Sequence, residues 1–353
     1  MWQLMKVLRA GVLGFCMGVR RAVKMAEAEL AARPAAGNRP PVFSLGPLIH
    51  NPQTLASLKG RGLVVLDEEA AAANGQAACP PCRDQPSAGQ GQTAGSPDEK
   101  PVVIIRAHGV SPRVEENLLL KGFRIVDATC PRVKASQNTA LALASRGLTV
   151  FIAGEKNHAE VKGIAGYVEA GSPRKIPVDT ARPPETVDAA GRPARCIIVG
   201  SAAEAETAAE TLRRERPDAE TALIAQTTFS EDEYERIETA VKKRFPGLEV
   251  KDTICGATRE RQNALRELCA ACDAVIVAGG RDSANTRRLL AIAGQYGKPC
   301  WLAETAADLP PELKNHAVAG LCAGASTPDG VIEEIANAME NAGLKDTENR
   351  ASA

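Results

Sequence analysis

Two ungapped stretches of this chain repeat one pattern: DATCPRVKASQNTALALASRGLTVFIAGEKNHAEV from Asp127, and DTICGATRERQNALRELCAACDAVIVAGGRDSANT from Asp252. Cys130 falls on Cys255, Gln137-Asn138 on Gln262-Asn263, Gly154 on Gly279, His158 on Ser283 and Glu160 on Asn285. Twenty-eight residues separate the cysteine from His158 in one copy and from Ser283 in the other. Each unit reads as strand, Cys loop, helix, strand, polar loop, helix. In an open α/β layer ligands bind beyond the carboxyl ends of the strands, so both loops are expected on one side. A third thiol has the same character. Cys16, in LGFCMGVRRAV, sits at a strand-to-helix turn flanked by Gly14 and Gly18. Pro131 suits a first helical position, and Gly256 follows Cys255. Each thiol is therefore expected at or near a helix N-terminus, where the dipole and free N–H groups favour a thiolate. Three converging thiolates make a soft metal site, for zinc, copper or an iron–sulfur group.

The histidines point the same way. His50 in GPLIHNPQT, His108 in RAHGVSP and His158 in GEKNHAEV all lie in strand-end loops beside Gly or Pro. His316, in LKNHAVAG, precedes a strand at the opposite edge and reads as a bystander. The remaining cysteines have blander readings. Cys196, Cys300 and Cys322 lie in or beside apolar strands, as small core residues do. Cys79-Pro-Pro-Cys82 and Cys269-Ala-Ala-Cys272 have the spacing of half zinc sites, but the first lies in a low-complexity stretch and Cys269 is expected to face the core.

The elements that must position these residues alternate between short apolar strands and amphipathic helices, the pattern of α/β layers. Strands are expected at residues 6–13, 42–45, 63–66, 102–105, 124–127, 148–153, 196–199, 222–225, 249–252, 274–278 and 318–322. Helices are expected at 132–145, 230–244, 258–271 and 328–340. Residues 71–100 hold almost no large apolar side chain and read as a loosely ordered insertion; the residues from Gly343 read as a frayed tail. Lys plus Arg and Asp plus Glu both number 43, a balance that argues against nucleic acid or an anionic membrane as partner. Eleven aromatics (two Trp, three Tyr, six Phe) are too few for base-stacking platforms. No apolar run reaches the ~20 residues of a membrane helix. Lys6 and Arg9 interrupt the N-terminal apolar stretch, so a signal peptide is not expected. A cytoplasmic, reducing location follows, with cysteines as thiols or metal ligands. No P-loop or GxGxxG follows a strand, which sets aside a nucleotide-binding module.

The segments GFCMGVRRAV, HNPQTL, RAHGVSP, DATCPRV, HAEVKG, QTTFS, DTICGAT, GGRDSANTRRL and GASTPD, in this order, resemble the 4-hydroxy-3-methylbut-2-enyl diphosphate reductase family. That family supplies the last step of the methylerythritol phosphate route to isoprenoids. The resemblance runs from about Val7 to near Glu340, outside the insertion. It implies an α/β fold of three pseudo-threefold αβα modules, arranged as a trefoil around a central [4Fe–4S] cluster. The implied modules are residues 17–130, 131–252 and 253–340, the last joined by an N-terminal strand in 1–16, with 341–353 as a flexible tail. Cys16, Cys130 and Cys255 are then the cluster ligands, and three ligands leave one iron open, whereas a fourth would make an electron carrier. The implied reaction is reductive removal of an allylic hydroxyl with two electrons and two protons. Glu160 resembles the proton-delivering acid, with His158 beside it, and Thr227 of QTTFS the relaying hydroxyl, with Thr228 a weaker candidate. His50, His108, His158, Ser283, Asn285 and Ser326 are implied as the substrate's diphosphate donors, with Asn157, Gln226 and Thr258 behind them. A ferredoxin or flavodoxin is implied as electron donor, to a monomer or homodimer. Ala284 stands where some members carry a second Ser, and Ala159 where members often carry Pro. A non-redox iron–sulfur hydro-lyase and an iron–sulfur carrier or sensor are the competing readings.

Overall fold

The structure is a computed structural model describing residues 5–32, 41–68, 100–171 and 194–342. All but Lys100 of the expected insertion at 71–100, Cys79 and Cys82 included, and the expected tail from Gly343 lie outside the described residues.

Twelve described strands form three separate four-stranded sheets in which every pairing is parallel. One sheet orders β3 (Leu63–Leu66), β2 (Val42–Leu45), β4 (Val102–Ile105) and β5 (Arg124–Asp127). A second orders β7 (Cys196–Val199), β6 (Thr149–Ala153), β8 (Thr221–Ala225) and β9 (Glu249–Val250). The third orders β1 (Lys6–Arg9), β12 (Val318–Ala323), β10 (Ala274–Ala278) and β11 (Cys300–Ala303). The two inner strands of each sheet are short and largely apolar, with Ser44, Thr149 and Thr221 buried among Val, Ile, Leu, Phe and Ala. They are covered on both faces, as parallel strands require. Each fully buried large side chain among them, such as Phe43, Ile104 or Phe151, contributes about 1.5–3 kcal/mol by leaving water.

The helices connect and cover these sheets. They are α1 (Met17–Ala31), α2 (Pro52–Gly60), α3 (Pro112–Leu120), α4 (Pro131–Ser145), α5 (Ala159–Ala170), α6 (Ala202–Glu215), α7 (Glu231–Lys242), α8 (Gly256–Ala271), α9 (Ala284–Gln295) and α10 (Asp329–Ala342). Local chemistry fixes their starts. Asn51, Ser111, Ser201, Ser230 and Ser283 each accept an N–H of the first turn, and Pro52, Pro112 and Pro131 occupy first helical positions.

Two expectations are corrected. The first strand ends at Arg9 rather than Leu13. Its last ladder bond is Ala10 N–H to Leu321 O, after which the chain turns through Gly14 at φ +75°. Strand β9 stops at Val250, because Asp252 turns back to cap its own loop: its Oδ1 accepts Ile254 N–H at 3.1 Å.

The sheets are stitched by the helices that leave their edges. Helix α1 packs Ala22 and Ala26 onto the β2/β4 sheet, α4 packs Ala140 and Leu143 onto the β6/β8 sheet, and α8 packs Leu265 and Leu268 onto the β10/β12 sheet. Each of these helices follows an edge strand of a different sheet. The sequence repeat therefore crosses from one sheet to the next. Its copies are β5–α4–β6 and β9–α8–β10, and β1–α1–β2 follows the same course. The repeated glutamines hold two of these seams: Gln137 Nε2 donates to Val110 O at 3.3 Å and Gln262 Nε2 to Phe229 O at 3.1 Å.

Candidate active site

The seams place the three repeated thiols. Cys16, Cys130 and Cys255 are the N-cap residues of α1, α4 and α8. Each follows an edge strand, and each backbone N–H donates to a carbonyl in the exit loop of the adjacent strand. The pairs are Cys16 to Ala325 O (3.0 Å), Cys130 to Ala107 O (2.9 Å) and Cys255 to Thr227 O (2.9 Å). Those exit loops carry Ser326, His108 and the Thr227-Thr228 pair. The next strand inward ends in His50 after β2, His158 and Glu160 after β6, and Ser283 and Asn285 after β10. Edge strands thus deliver sulfur, and the two inner strands deliver imidazole, hydroxyl, carboxyl and amide groups. All of these line one cavity with room for about 90 Å³ of water-sized occupancy.

Glu160 is 1% exposed. Thr227 grips both of its oxygens: the Thr227 N–H donates to Oε1 at 2.6 Å and the Thr227 hydroxyl to Oε2 at 2.9 Å. Burial pushes the Glu160 carboxyl up to about 7, while the two Thr227 donors pull against that rise. Near neutral pH it therefore holds a proton it can surrender, the condition for a general acid. His158 caps α5, its Nδ1 accepting the Glu160 N–H at 3.2 Å. A neutral imidazole that accepts on Nδ1 carries its proton on Nε2, so His158 is a donor on that nitrogen.

The three imidazoles stack against one another, with ring centroids 4.6 Å (His50–His108), 5.2 Å (His108–His158) and 5.9 Å (His50–His158) apart. Burial pushes the His158 imidazole down to about 3, with the nearby His50, Arg287 and Arg106 lowering it further. His50 and His108 are also lowered, first by burial. The trio is neutral as it stands. His50 Nε2, His108 Nδ1 and both amide atoms of Asn285 are buried with no protein partner. Such orphans are costly unless a ligand satisfies them. Ser326 donates to His50 O at 3.1 Å and lies 3.5 Å from the Ser283 hydroxyl.

The thiols fit a metal cluster rather than a lone ion. Among the described residues, the three imidazoles form the one group of His, Cys, Asp or Glu ligand atoms lying within 4.8 Å of one another. The three thiols share the cavity, and at least one pair of them stands farther apart than that. Gly18 shapes this end: a Cβ there would meet the Cys130 Sγ at 2.4 Å. The thiolate expectation is corrected for Cys130. Burial pushes its thiol up, and the N–H groups of Arg132 and Val133 only oppose the rise. A bound cation would therefore have to draw off the proton.

Other expectations divide. Thr228 and Thr258 line the cavity. Gln226 lies behind it, accepting Glu155 N–H at 3.0 Å and donating to the Thr228 hydroxyl at 3.0 Å. Asn157 is exposed and outside the lining, because the turn before His158 points it to solvent. Cys269, Cys272 and Cys322 are buried in the core under α8 and α9, with Cys300 packed beside them. Sequence reasoning missed Arg261. It is 5% exposed beside Cys16 and Cys255, donates to Gly14 O at 2.7 Å, and leaves its Nε without a partner. It also missed Arg106, buried and paired with Glu68, whose charge reaches all three imidazoles. Nothing in the repeat marks either arginine; only the tertiary fold buries them.

Comparison with known proteins now bears on this geometry. Residues 7–340 match the family model described as LytB protein. A protein of Treponema pallidum named 4-hydroxy-3-methylbut-2-enyl diphosphate reductase is 42% identical over 344 residues, 96% of this chain and 84% of that one. A protein of the same name from Aquifex aeolicus is 33% identical over 338 residues, 96% of each chain. A solved structure titled as the E-1-hydroxy-2-methyl-but-2-enyl-4-diphosphate reductase from Plasmodium falciparum superposes with a TM-score of 0.71 at 25% identity. That match covers 94% of this chain and 87% of that chain.

Proposed function

The chain belongs to the LytB protein family and to its 4-hydroxy-3-methylbut-2-enyl diphosphate reductases, which are enzymes. From that premise we propose that it removes the allylic hydroxyl of (E)-4-hydroxy-3-methylbut-2-enyl diphosphate. Two electrons and two protons convert that substrate to isopentenyl or dimethylallyl diphosphate plus one water. The observation that carries the reading is the single cavity lined by three helix-capping thiols, a buried acid of pKa about 7 and a trio of neutral imidazoles.

Cys16, Cys130 and Cys255 would hold a [4Fe–4S] cluster. When bound, such a cluster would relay the two electrons one at a time from an external carrier and supply a Lewis acid for C–O cleavage. The spacing of the thiols, the Gly18 cradle and the buried Arg261 guanidinium beside two of them support this assignment. Arg261 offsets part of the negative charge that three thiolates bring.

The diphosphate is held by imidazole, hydroxyl and amide donors: His50, His108, His158, Ser283, Asn285 and Ser326. Their unsatisfied donors and the α9 N-terminus suit phosphate oxygens. The negative charge of a diphosphate beside these imidazoles favours their charged form, so at least one takes up a proton and its hydrogen bond becomes charge-assisted. Glu160 delivers a proton toward the departing hydroxyl. The Thr227 hydroxyl sits 2.9 Å from the Glu160 Oε2 and relays or orients that proton. Buried walls exclude bulk water, which keeps the acid's pKa near neutrality. An external one-electron carrier, a ferredoxin or flavodoxin in kind, is the reductant.

Anaerobic reconstitution followed by iron spectroscopy tests the assignment. Substrate should alter the signal of one iron of the cluster and leave three unchanged. Four equivalent irons, indifferent to substrate, would refute it.

A further inference from the structure

Outside the lining of the cavity, one ion pair ties together two elements that each carry two of its polar groups, His158 with Glu160 and Ser283 with Asn285. Arg287 lies in the first turn of α9, two residues beyond Asn285, and donates through NH2 to the Glu155 Oε2 at 2.6 Å. Glu155 follows β6 and stands three residues before His158. The pair therefore bridges the loop after β6 to the helix after β10, beside residues that line the site. Its side chains are 43% and 36% exposed, so solvent reaches both. Both charges are nonetheless felt inside. Arg287 lowers the imidazoles of His50 and His158, and Glu155 acts in the opposite direction on His50.

The other charges facing this trio are Arg106 and Asp282. Arg106 is buried and fixed by Glu68 and by Leu45 O at 3.1 Å. Asp282 carries negative charge. Arg287 is thus the cation near the imidazoles that is solvent-exposed and paired with Glu155, its Nη1 also donating to Arg281 O at 3.2 Å. A Glu-paired cation presents little net field to an incoming anion, and an unpaired one presents a full charge.

We infer that Arg287 is a positioning residue for the anionic end of the substrate, and that Glu155 masks its charge when the site is empty. The inference rests on the diphosphate reading of the imidazole trio. It makes the two members of one ion pair act in opposite senses. Removing the carboxylate unmasks the guanidinium, and removing the guanidinium leaves a bare carboxylate beside the site. A purely structural tether would respond in the same sense to both losses.

The test compares Glu155→Gln, Arg287→Gln and Arg287→Lys in the cluster-loaded enzyme. Turnover is driven by a small-molecule one-electron donor, and inorganic pyrophosphate serves as competitive probe. Glu155→Gln should lower KM and the pyrophosphate inhibition constant about three- to tenfold, and Arg287→Gln should raise both by a similar factor. Arg287→Lys should restore most of the loss. The opposed effects should fall on KM rather than kcat and shrink as salt shortens the screening length. KM moving in the same direction in both Gln variants, or salt-independent effects, would overturn the role of Arg287. Failure of pyrophosphate to compete in the unsubstituted enzyme would instead overturn the diphosphate reading and this inference with it.

Discussion

Replacing Glu160 by Gln should damage catalysis and stabilise the fold, and the stabilisation should depend on pH. In the folded protein the carboxyl is raised from 4.5 to about 7 by burial. Below pH ~4.5 the group is protonated in both folded and unfolded chains and costs nothing. As pH rises from there to about 7, the unfolded chain ionises while the folded one resists, so stability is lost across that window. Above pH ~7 the penalty is constant at about 3 kcal/mol, since each pKa unit is worth about 1.4 kcal/mol. Gln carries no charge and escapes it. Its carbonyl can still accept the Thr227 N–H, and its amide can donate to the Thr227 hydroxyl if that hydroxyl reverses. About 3 kcal/mol is therefore the ceiling of the gain at pH 8.5, and near pH 5 the gain should shrink to about 1 kcal/mol or less. Thermal unfolding of the cluster-loaded proteins at the two pH values measures this. Turnover should fall about 100-fold or more, the scale of general acid catalysis. A variant less stable than the parent at pH 8.5, or one with the same advantage at both pH values, would refute the claim that burial holds the proton on Glu160. Near-native turnover would refute its role as acid.

Cys16→Ser, Cys130→Ser and Cys255→Ser should each lose the cluster's visible absorbance and bound iron, whereas Cys269→Ser and Cys322→Ser should retain both. Gly18→Ala should lower iron content without removing a ligand, because the added methyl would stand 2.4 Å from the Cys130 Sγ; full iron loading would show that the cradle is not needed. Diphosphate binding at pH 7 should take up protons, because His50 and His108 are held neutral by burial in the empty site and an adjacent anion favours their charged forms. Calorimetry in buffers of different ionisation enthalpy reads the number taken up, and His50→Asn should reduce it.

The chemistry was legible because it is local. Cys130 and Cys255 fall in a gapless repeat, and His50, His108 and His158 sit where apolar strands break at Gly or Pro. Those breaks place them at strand ends whatever the sheet order. The third copy of the unit, from Cys16 through α1 to His50, was not legible as a repeat because its connection between helix and strand differs in length. That the repeat bridges sheets instead of building one was also hidden, since pairing partners such as β1 and β12 lie at opposite ends of the chain. Arg106 and Arg261 carry no mark in the sequence, because several segments must meet to bury them. Asn157 failed for the opposite reason: a polar residue beside a site residue can face either way, and the turn decided. Strand β11 was missed as an element, although Cys300 within it was rightly placed against the apolar core.

Product analysis under strict anaerobiosis tests the central claim most directly. The cluster-loaded enzyme is given (E)-4-hydroxy-3-methylbut-2-enyl diphosphate with and without a strong one-electron donor. Conversion to isopentenyl and dimethylallyl diphosphate that requires the donor and consumes two electrons per product is the predicted result. Loss of the hydroxyl at an undiminished rate without any donor would contradict it and make the chain a non-redox hydro-lyase.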